Sequence, residues 1–378
     1  MKKNRIEWID TIKAIGLFLV FFGHHTEKLY FVEGVNGTAT IPYKFIYSFL
    51  MQMFFFLSGF FAKRQDDKLI YIKKLFFRRL VPVFSFAIIF VPLWLIYNKF
   101  VMGHFMIQQI VIKALDYFGG DPQLDFMTWF LVCLFTAELI IGLLGLISSS
   151  RFYNLLLGFL LIVLGYYIVN YISFISAFTR LKLNFWYIHE GIIAAGFYLI
   201  GNSLFGFISK LEQNRKWIFY LIIPVTLLLI KLSIIYFKNT TTVIMADSVH
   251  GDLLPFVVNS FLGTILIISI GIIIPPNKIM NFIGLNTLIL LGLNGVFYHF
   301  IDSFLINWFY LNDSIWFLIL YCTFASTISM ALCAPFIILI NKYLPQLFGK
   351  PNSKGPILKP LEYYTQLFRK KTHNILYK

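Results

Sequence analysis

Charge is scarce in this chain. Only 13% of its 378 residues are charged, and acidic residues are the scarcer sign, 17 against 32 Lys and Arg. Polar composition is low as well: 59% of the residues are hydrophobic and the mean hydropathy is +0.78. A water-soluble domain of this length cannot bury so much apolar surface, which excludes the soluble classes and points to a polytopic membrane protein. Cysteine is nearly absent. Cys133, Cys322 and Cys333 all sit inside apolar runs. That excludes a disulfide framework, and no Cys/His spacing suits a metal, so no metal site is expected. No soluble domain, internal repeat or low-complexity segment is evident.

What the sequence does contain is a series of apolar runs, near 12–32, 42–62, 80–98, 128–148, 152–172, 185–207, 217–237, 253–275, 281–304 and 314–341. By the ~20-residue criterion these predict an all-α bundle of about ten transmembrane helices. Lys2, Lys3 and Arg5 precede the first run in the manner of a signal peptide. The run is about 20 residues long and lacks a small-residue cleavage site, so it reads as an uncleaved span. With both termini cytosolic, the inside segments hold 23 Lys and Arg, the outside segments hold 7, and Lys13 and Lys231 lie within spans. This bias obeys the positive-inside rule. It accounts for most of the net charge of +15 without nucleic acid, and anionic lipid headgroups are the expected partners. Residues 67–82 and 359–371 mix basic and apolar side chains and read as helices lying on the cytosolic face. The expected organisation is a membrane domain over 1–342 and a basic cytosolic tail over 343–378, loose where Pro and Gly accumulate.

The first span, RIEWIDTIKAIGLFLVFFGHHTEKLY (5–30), carries Asp10, Lys13, His24 and His25 where lipid penalises them. At about 100° per residue, Asp10, Lys13, Leu17, Val20 and His24 form one stripe. The rise places Lys13 about 16 Å and Asp10 about 21 Å from His24, so neither bonds it within the helix. Asp10 is instead placed to pair with Lys13 at i, i+3. Each residue has a bland reading: Lys13 snorkelling to the interface, Asp10 as a helix N-terminal charge, His24 as a packing residue. Their alignment favours a bundle interior or a water path.

These residues resemble the opening of the membrane-bound acyltransferase 3 family, whose motif is a basic residue, ten residues, then His. Lys13 and His24 fit it. MQMFFFLSGFF (51–61) resembles the family's FFFxSGF signature, RRLVP (78–82) its basic-then-Pro start of the third span, and TWFLVCLF (128–135) its WFL motif. IGLNTLILLGLN (283–294) resembles the late GxNTL motif of the fucose 4-O-acetylase-like branch. The resemblance implies a ten-helix enzyme of a bacterial cytoplasmic membrane. It would move an acyl group, usually acetyl, from cytosolic acyl-coenzyme A to a hydroxyl of an extracytoplasmic carbohydrate. It assigns acyl transfer to His24, with Lys13 as motif partner, and coenzyme phosphates to Arg79 and Arg78. Where the family often has a second Arg, residue 76 is Phe, so Lys73 and Lys74 share that task. Where it often has a late His, the residue is Asn294, and His299 follows. Trp129, Asn294 and His299 are the residues expected on the acceptor side.

The chemistry needs a base near neutral pH, which an imidazole with an ordinary pKa of about 6.5 supplies. His24 would deprotonate the acceptor hydroxyl or carry the acyl group as an acyl-imidazole. Backbone amides, Asn294 or Tyr298 are candidate oxyanion donors. Ser58 and Gly59 allow close approach of a ligand or of a packed helix. Because the stripe offers no acid beside His24, Glu190 is a candidate to orient it from a neighbouring helix, the alternative being a plain interfacial charge. Glu138, mid-span, requires a partner. His25 is the second choice for the reactive group, and the loop 240–255 is either a glycan contact or plain solvated loop. The competing reading is a transporter or flippase for a lipid-linked sugar or polysaccharide. It predicts paired half-sequences with broken helices, and none are evident. Acceptor, acyl length and oligomeric state are not legible.

Overall fold

The computed structural model describes residues 6–32, 36–64, 67–103, 106–172, 185–213, 225–226, 242–302, 306 and 314–363. Among these every named element is helical, with one isolated bridge between Ile244 and Val249. The helices are α1 (Glu7–Tyr30), α2 (Asn36–Tyr47), α3 (Leu50–Gly59), α4 (Lys68–Leu75), α5 (Val81–Met102), α6 (Ile107–Leu115), α7 (Trp129–Leu144), α8 (Arg151–Tyr171), α9 (Ile188–Gln213), α10 (Leu253–Ile273), α11 (Lys278–Leu285), α12 (Thr287–Val296) and α13 (Ile315–Tyr343).

The expected all-α membrane class holds, but among the described residues the expected runs are not all continuous spans. Among the described residues, six helices are long and apolar enough to cross a membrane, or seven if α11 and α12 form one bent span. α1 is 24 residues long but carries the charges noted above. The run 42–62 divides into α2 and α3, of 12 and 10 residues. The run 281–304 bends by 77° between α11 and α12. There Asn286, with φ −119° and ψ 20°, leaves the helical region. Conversely α4 and α5 join into a single rod from Lys68 to Val101 through a π-helical turn at Phe76–Leu80. The expected spans near 217–237, together with Lys231, and the basic segment 359–371 beyond residue 363 lie outside the described residues.

α1 is the axis of the bundle. Its buried residues include Ile9, Ile12, Leu17, Val20 and Phe21, and it packs on α2, α10, α11 and α13. Small residues let backbones approach, as membrane packing favours. Gly59 of α3 lies against the Tyr198 carbonyl of α9, and Gly201 of α9 lies reciprocally against the Phe56 carbonyl. A Cβ at either position would collide with backbone. This is the packing role of the Ser58-Gly59 pair. α5 and α13 are peripheral and turn large apolar side chains such as Ile88, Phe100, Trp316 and Phe324 outward, as lipid contact requires.

Residues 344–363 are not loose. Phe348 is buried with its ring 5.0 Å from that of Phe86. Gln346 donates to the carbonyls of Ser353 and Leu358, at 2.8 Å each. Lys350 donates to Asn286 at 2.9 Å and to Asn341. Gln346 thus meets two carbonyls of the segment, and Lys350 ties the segment to Asn286 at the α11–α12 break.

Candidate active site

The polar face of α1 lines two cavities. The larger, of about 370 Å³, is bounded by Lys13 and Leu17 of α1, Ser58 of α3, Arg78 and Arg79 of the π-helical turn, and Glu138 of α7. The smaller, of about 60 Å³, is bounded by Val20, His24 and Glu27 of α1, with Tyr47, Trp129 and Tyr298 around them. The stripe predicted from helical spacing is thus a continuous lining: Lys13 and Leu17 face one cavity, Val20 and His24 the other.

In the larger cavity Arg79 and Glu138 form a bidentate pair. Arg79 Nε donates to Oε2 and Nη2 to Oε1 of Glu138, both at 2.8 Å. The fork geometry satisfies both carboxylate oxygens, and it supplies the partner that a mid-span Glu requires. Tyr71 adds a 2.8 Å bond to the Glu138 carbonyl. The π-helical turn is what places Arg78 and Arg79 at the cavity; such one-turn bulges re-aim side chains and recur at functional sites. Lys73 and Lys74 are exposed on α4 and do not line the cavity. Asp10 is buried where α1 crosses α11, its backbone against Gly284.

In the smaller cavity His24 meets an acid, but the acid is Glu27 rather than Glu190. His24 Nδ1 lies 3.0 Å from Glu27 Oε2. The Tyr47 hydroxyl donates to the same oxygen at 2.8 Å and lies 3.1 Å from His24 Nδ1. The Tyr298 hydroxyl donates to Glu27 Oε1 at 3.2 Å. Three donors therefore converge on one carboxylate. The ring of Tyr298 lies 5.1 Å from that of His24, edge to face, and Lys28 Nζ lies 4.1 Å from the Tyr298 ring centroid. Among the described residues, both polar contacts of His24 use Nδ1. The arrangement favours a proton on Nδ1, donated to Glu27, and leaves Nε2 as the basic nitrogen.

Glu190 has a different task. Its carboxylate oxygen lies 3.0 Å from His250 Nε2, and both side chains are fully buried. The neighbouring His189 Nε2 meets Ser248 Oγ at 2.6 Å, and the Tyr166 hydroxyl donates to the Gly251 carbonyl at 2.9 Å. These contacts pin the loop 242–252, whose residues Val243 to Ala246 close the cavity above His24. The loop is not simply solvated: Asp247 and Asp252 are exposed, but His250 is buried. His25 is buried too, its Nδ1 3.3 Å from Asp302, and it does not line the cavity.

Of the expected acceptor-side residues only Trp129 lines the cavity. Asn294 stands one layer behind, its amide 4.0 Å from the sulfur of Met127. His299 also stands behind, packed 5.5 Å from the Trp94 ring and 5.2 Å from that of Tyr298. In the loop ahead of α7, Asp125 is fully buried, and burial pushes its carboxyl well above the usual carboxylate range. Asp121, in the same loop, is raised to about 6 by burial.

A family model described as an acyltransferase domain matches residues 6–334. The chain belongs to this acyltransferase family. No curated protein and no solved structure matches it. Membership makes the protein a membrane acyltransferase in general terms, and both cavities lie within the matched residues except for Gly349, which closes the larger one. Among the described residues no group of three or more His, Cys, Asp or Glu is arranged to hold a metal ion.

Proposed function

We propose that this acyltransferase is an O-acyltransferase. In this reading it takes an acyl group, most simply acetyl, from cytosolic acyl-coenzyme A and places it on a hydroxyl of an extracytoplasmic carbohydrate. The observation that carries the reading is the α1 face from Lys13 to His24, which lines a basic cavity at one end and an imidazole–carboxylate cavity at the other. The positive-inside bias supports a cytosolic Lys13 end. Coenzyme A brings phosphates from that side, and Lys13, Arg78 and Arg79 offer matching charge. The cavity's apolar walls, Leu57 and Phe130 among them, suit the thioester arm.

In the proposed reaction Glu27 holds His24 by Nδ1, and Nε2 takes the proton of the acceptor hydroxyl. The oxygen attacks the thioester carbonyl, the carbon–sulfur bond breaks, and the imidazolium returns its proton to the departing thiolate. In the relay variant Nε2 itself attacks the thioester carbonyl and the carbon–sulfur bond breaks to release the thiolate. The hydroxyl then attacks the acyl-imidazole, the carbon–nitrogen bond breaks to free Nε2, and the hydroxyl proton passes to the thiolate. Trp129 offers a ring face to the sugar. The resemblance to the fucose 4-O-acetylase-like branch supports a glycan acceptor, and the same resemblance supports a bacterial cytoplasmic membrane.

The test is ester-linked acetyl on cell-surface glycans of a deletion strain complemented with wild type or with His24→Ala, at matched membrane levels. Wild type should restore the ester and His24→Ala should not. Full restoration by His24→Ala would remove His24 from the mechanism. An unchanged ester with altered glycan export would favour a transporter.

A further inference from the structure

The two cavities share one lining residue, Met51 of α3. The boundary between them crosses three helices. On α1 it lies between Leu17 and Val20, on α3 between Phe54 and Leu50, and on α7 between Phe130 and Trp129, the first of each pair facing the larger cavity. Met51 is half-buried, whereas its neighbours Gln52 and Met53 are buried in the bundle. An unbranched thioether with three rotatable bonds is the side chain best able to swing out of a passage without disturbing the packing around it.

We propose that Met51 is the gate between donor cavity and reaction chamber, and that it determines the length of the acyl group this enzyme transfers. The proposal rests on the acyl-coenzyme A reading above. The chamber, at about 60 Å³ against about 370 Å³ for the donor cavity, favours a small acyl group such as acetyl. A six-carbon chain would outgrow it. It would have to trail back past Met51 into the 370 Å³ cavity, where Leu17, Phe54 and Phe130 would hold it. With Met51 narrowing the passage around the thioester arm, an acetyl group brings its carbonyl to His24, while a longer chain that must double back beside the arm is blocked. Removing the Met51 side chain merges the two spaces.

The experiment uses inverted membrane vesicles containing the full chain and the host's own glycans, supplied with acetyl- or hexanoyl-coenzyme A. The readout is alkali-labile acyl ester on the glycan fraction. Wild type should transfer acetyl and little hexanoyl. Met51→Ala should raise the hexanoyl-to-acetyl ratio at least tenfold, and Met51→Phe should depress acetyl transfer with no gain for hexanoyl. Met51→Cys supplies a milder opening should the alanine variant not accumulate. It should gain hexanoyl transfer, and methanethiosulfonate treatment, which rebuilds an unbranched sulfur chain there, should return the ratio to the wild-type value. An unchanged ratio in Met51→Ala or Met51→Cys with acetyl transfer intact would overturn the gate and leave the acyltransferase reading standing. Absence of any acyl transfer by wild type would overturn both.

Discussion

The two cavities along α1 differ in size, in charge and in how they are closed. The larger is basic, is bounded by the ends of several helices and by Gly349 of the C-terminal segment, and holds a bidentate Arg79–Glu138 pair. The smaller is bounded by aromatic rings and a pinned loop, and holds an imidazole whose Nδ1 is committed to Glu27. In the larger cavity the carboxylate is satisfied by a permanent cation, so its fixed charges suit binding. In the smaller one it is satisfied by neutral donors and by a group able to change protonation, which suits proton transfer. On the proposed reading, one helix carries a binding end and a reacting end about three turns apart.

The sharpest way to test that division is at Glu27. Glu27→Gln keeps the shape but presents an amide to His24 Nδ1, which no longer fixes the tautomer or stabilises the imidazolium. Turnover should fall by about 10²- to 10⁴-fold, the range of general acid–base effects, with little change in KM for acyl-coenzyme A. Glu27→Asp should recover part of the loss. Steady-state kinetics in vesicles separate the two parameters. A rise in donor KM with unchanged turnover would move Glu27 from the reacting end to the binding end.

Arg79 tests the other end. Arg79→Ala leaves Glu138, only 7% exposed, as an uncompensated carboxylate. Breaking a buried pair costs roughly 3–5 kcal/mol, and the partial exposure of Arg79 places this case at the low end. The expected outcome is a lower melting temperature in detergent together with a higher donor KM. Arg79→Ala combined with Glu138→Leu should regain most of the stability and none of the donor affinity. Recovery of both would make the pair purely structural.

Much of this was readable in the linear order of residues, for a physical reason: helical spacing fixes which side chains share a face. Lys13, Leu17, Val20 and His24 could be aligned by arithmetic and do line the cavities. Glu27 was readable in the same way, since it follows His24 at i, i+3, on the adjacent part of the face. The stripe from Asp10 to His24 runs inward, whereas this acid lies one turn outward of His24. The Glu190–His250 pair was not readable, because 60 residues separate its members and the contact depends on how the loop folds back. The π-helical turns at Phe76–Leu80 and Phe297–Ile301 were not readable either. Each inserts a residue and rotates the following side chains. That is how Tyr298 reaches Glu27 while His299, adjacent in sequence, turns away to Trp94. The break at Asn286 and the division of α2 from α3 interrupt runs that are uniformly apolar, so hydropathy alone predicted continuous spans there.

The smallest effect is expected at Lys73 and Lys74. The sequence grouped them with Arg78 and Arg79 as a coenzyme cluster, but the structure leaves them exposed on α4, outside the cavity. Charges on an open face act through screened long-range attraction, which fades beyond a Debye length of about 8 Å at physiological ionic strength. Lys73→Gln with Lys74→Gln should therefore raise the donor KM by no more than about threefold at low salt, and the difference should vanish at 0.5 M salt. Lys13→Gln, which removes a half-buried cavity-lining charge, should keep its KM effect at that salt concentration. Equal salt sensitivity of the two variants would mean that the coenzyme meets all of these charges in the same solvent-exposed way. The basic end of α1 would then be a docking surface rather than a pocket.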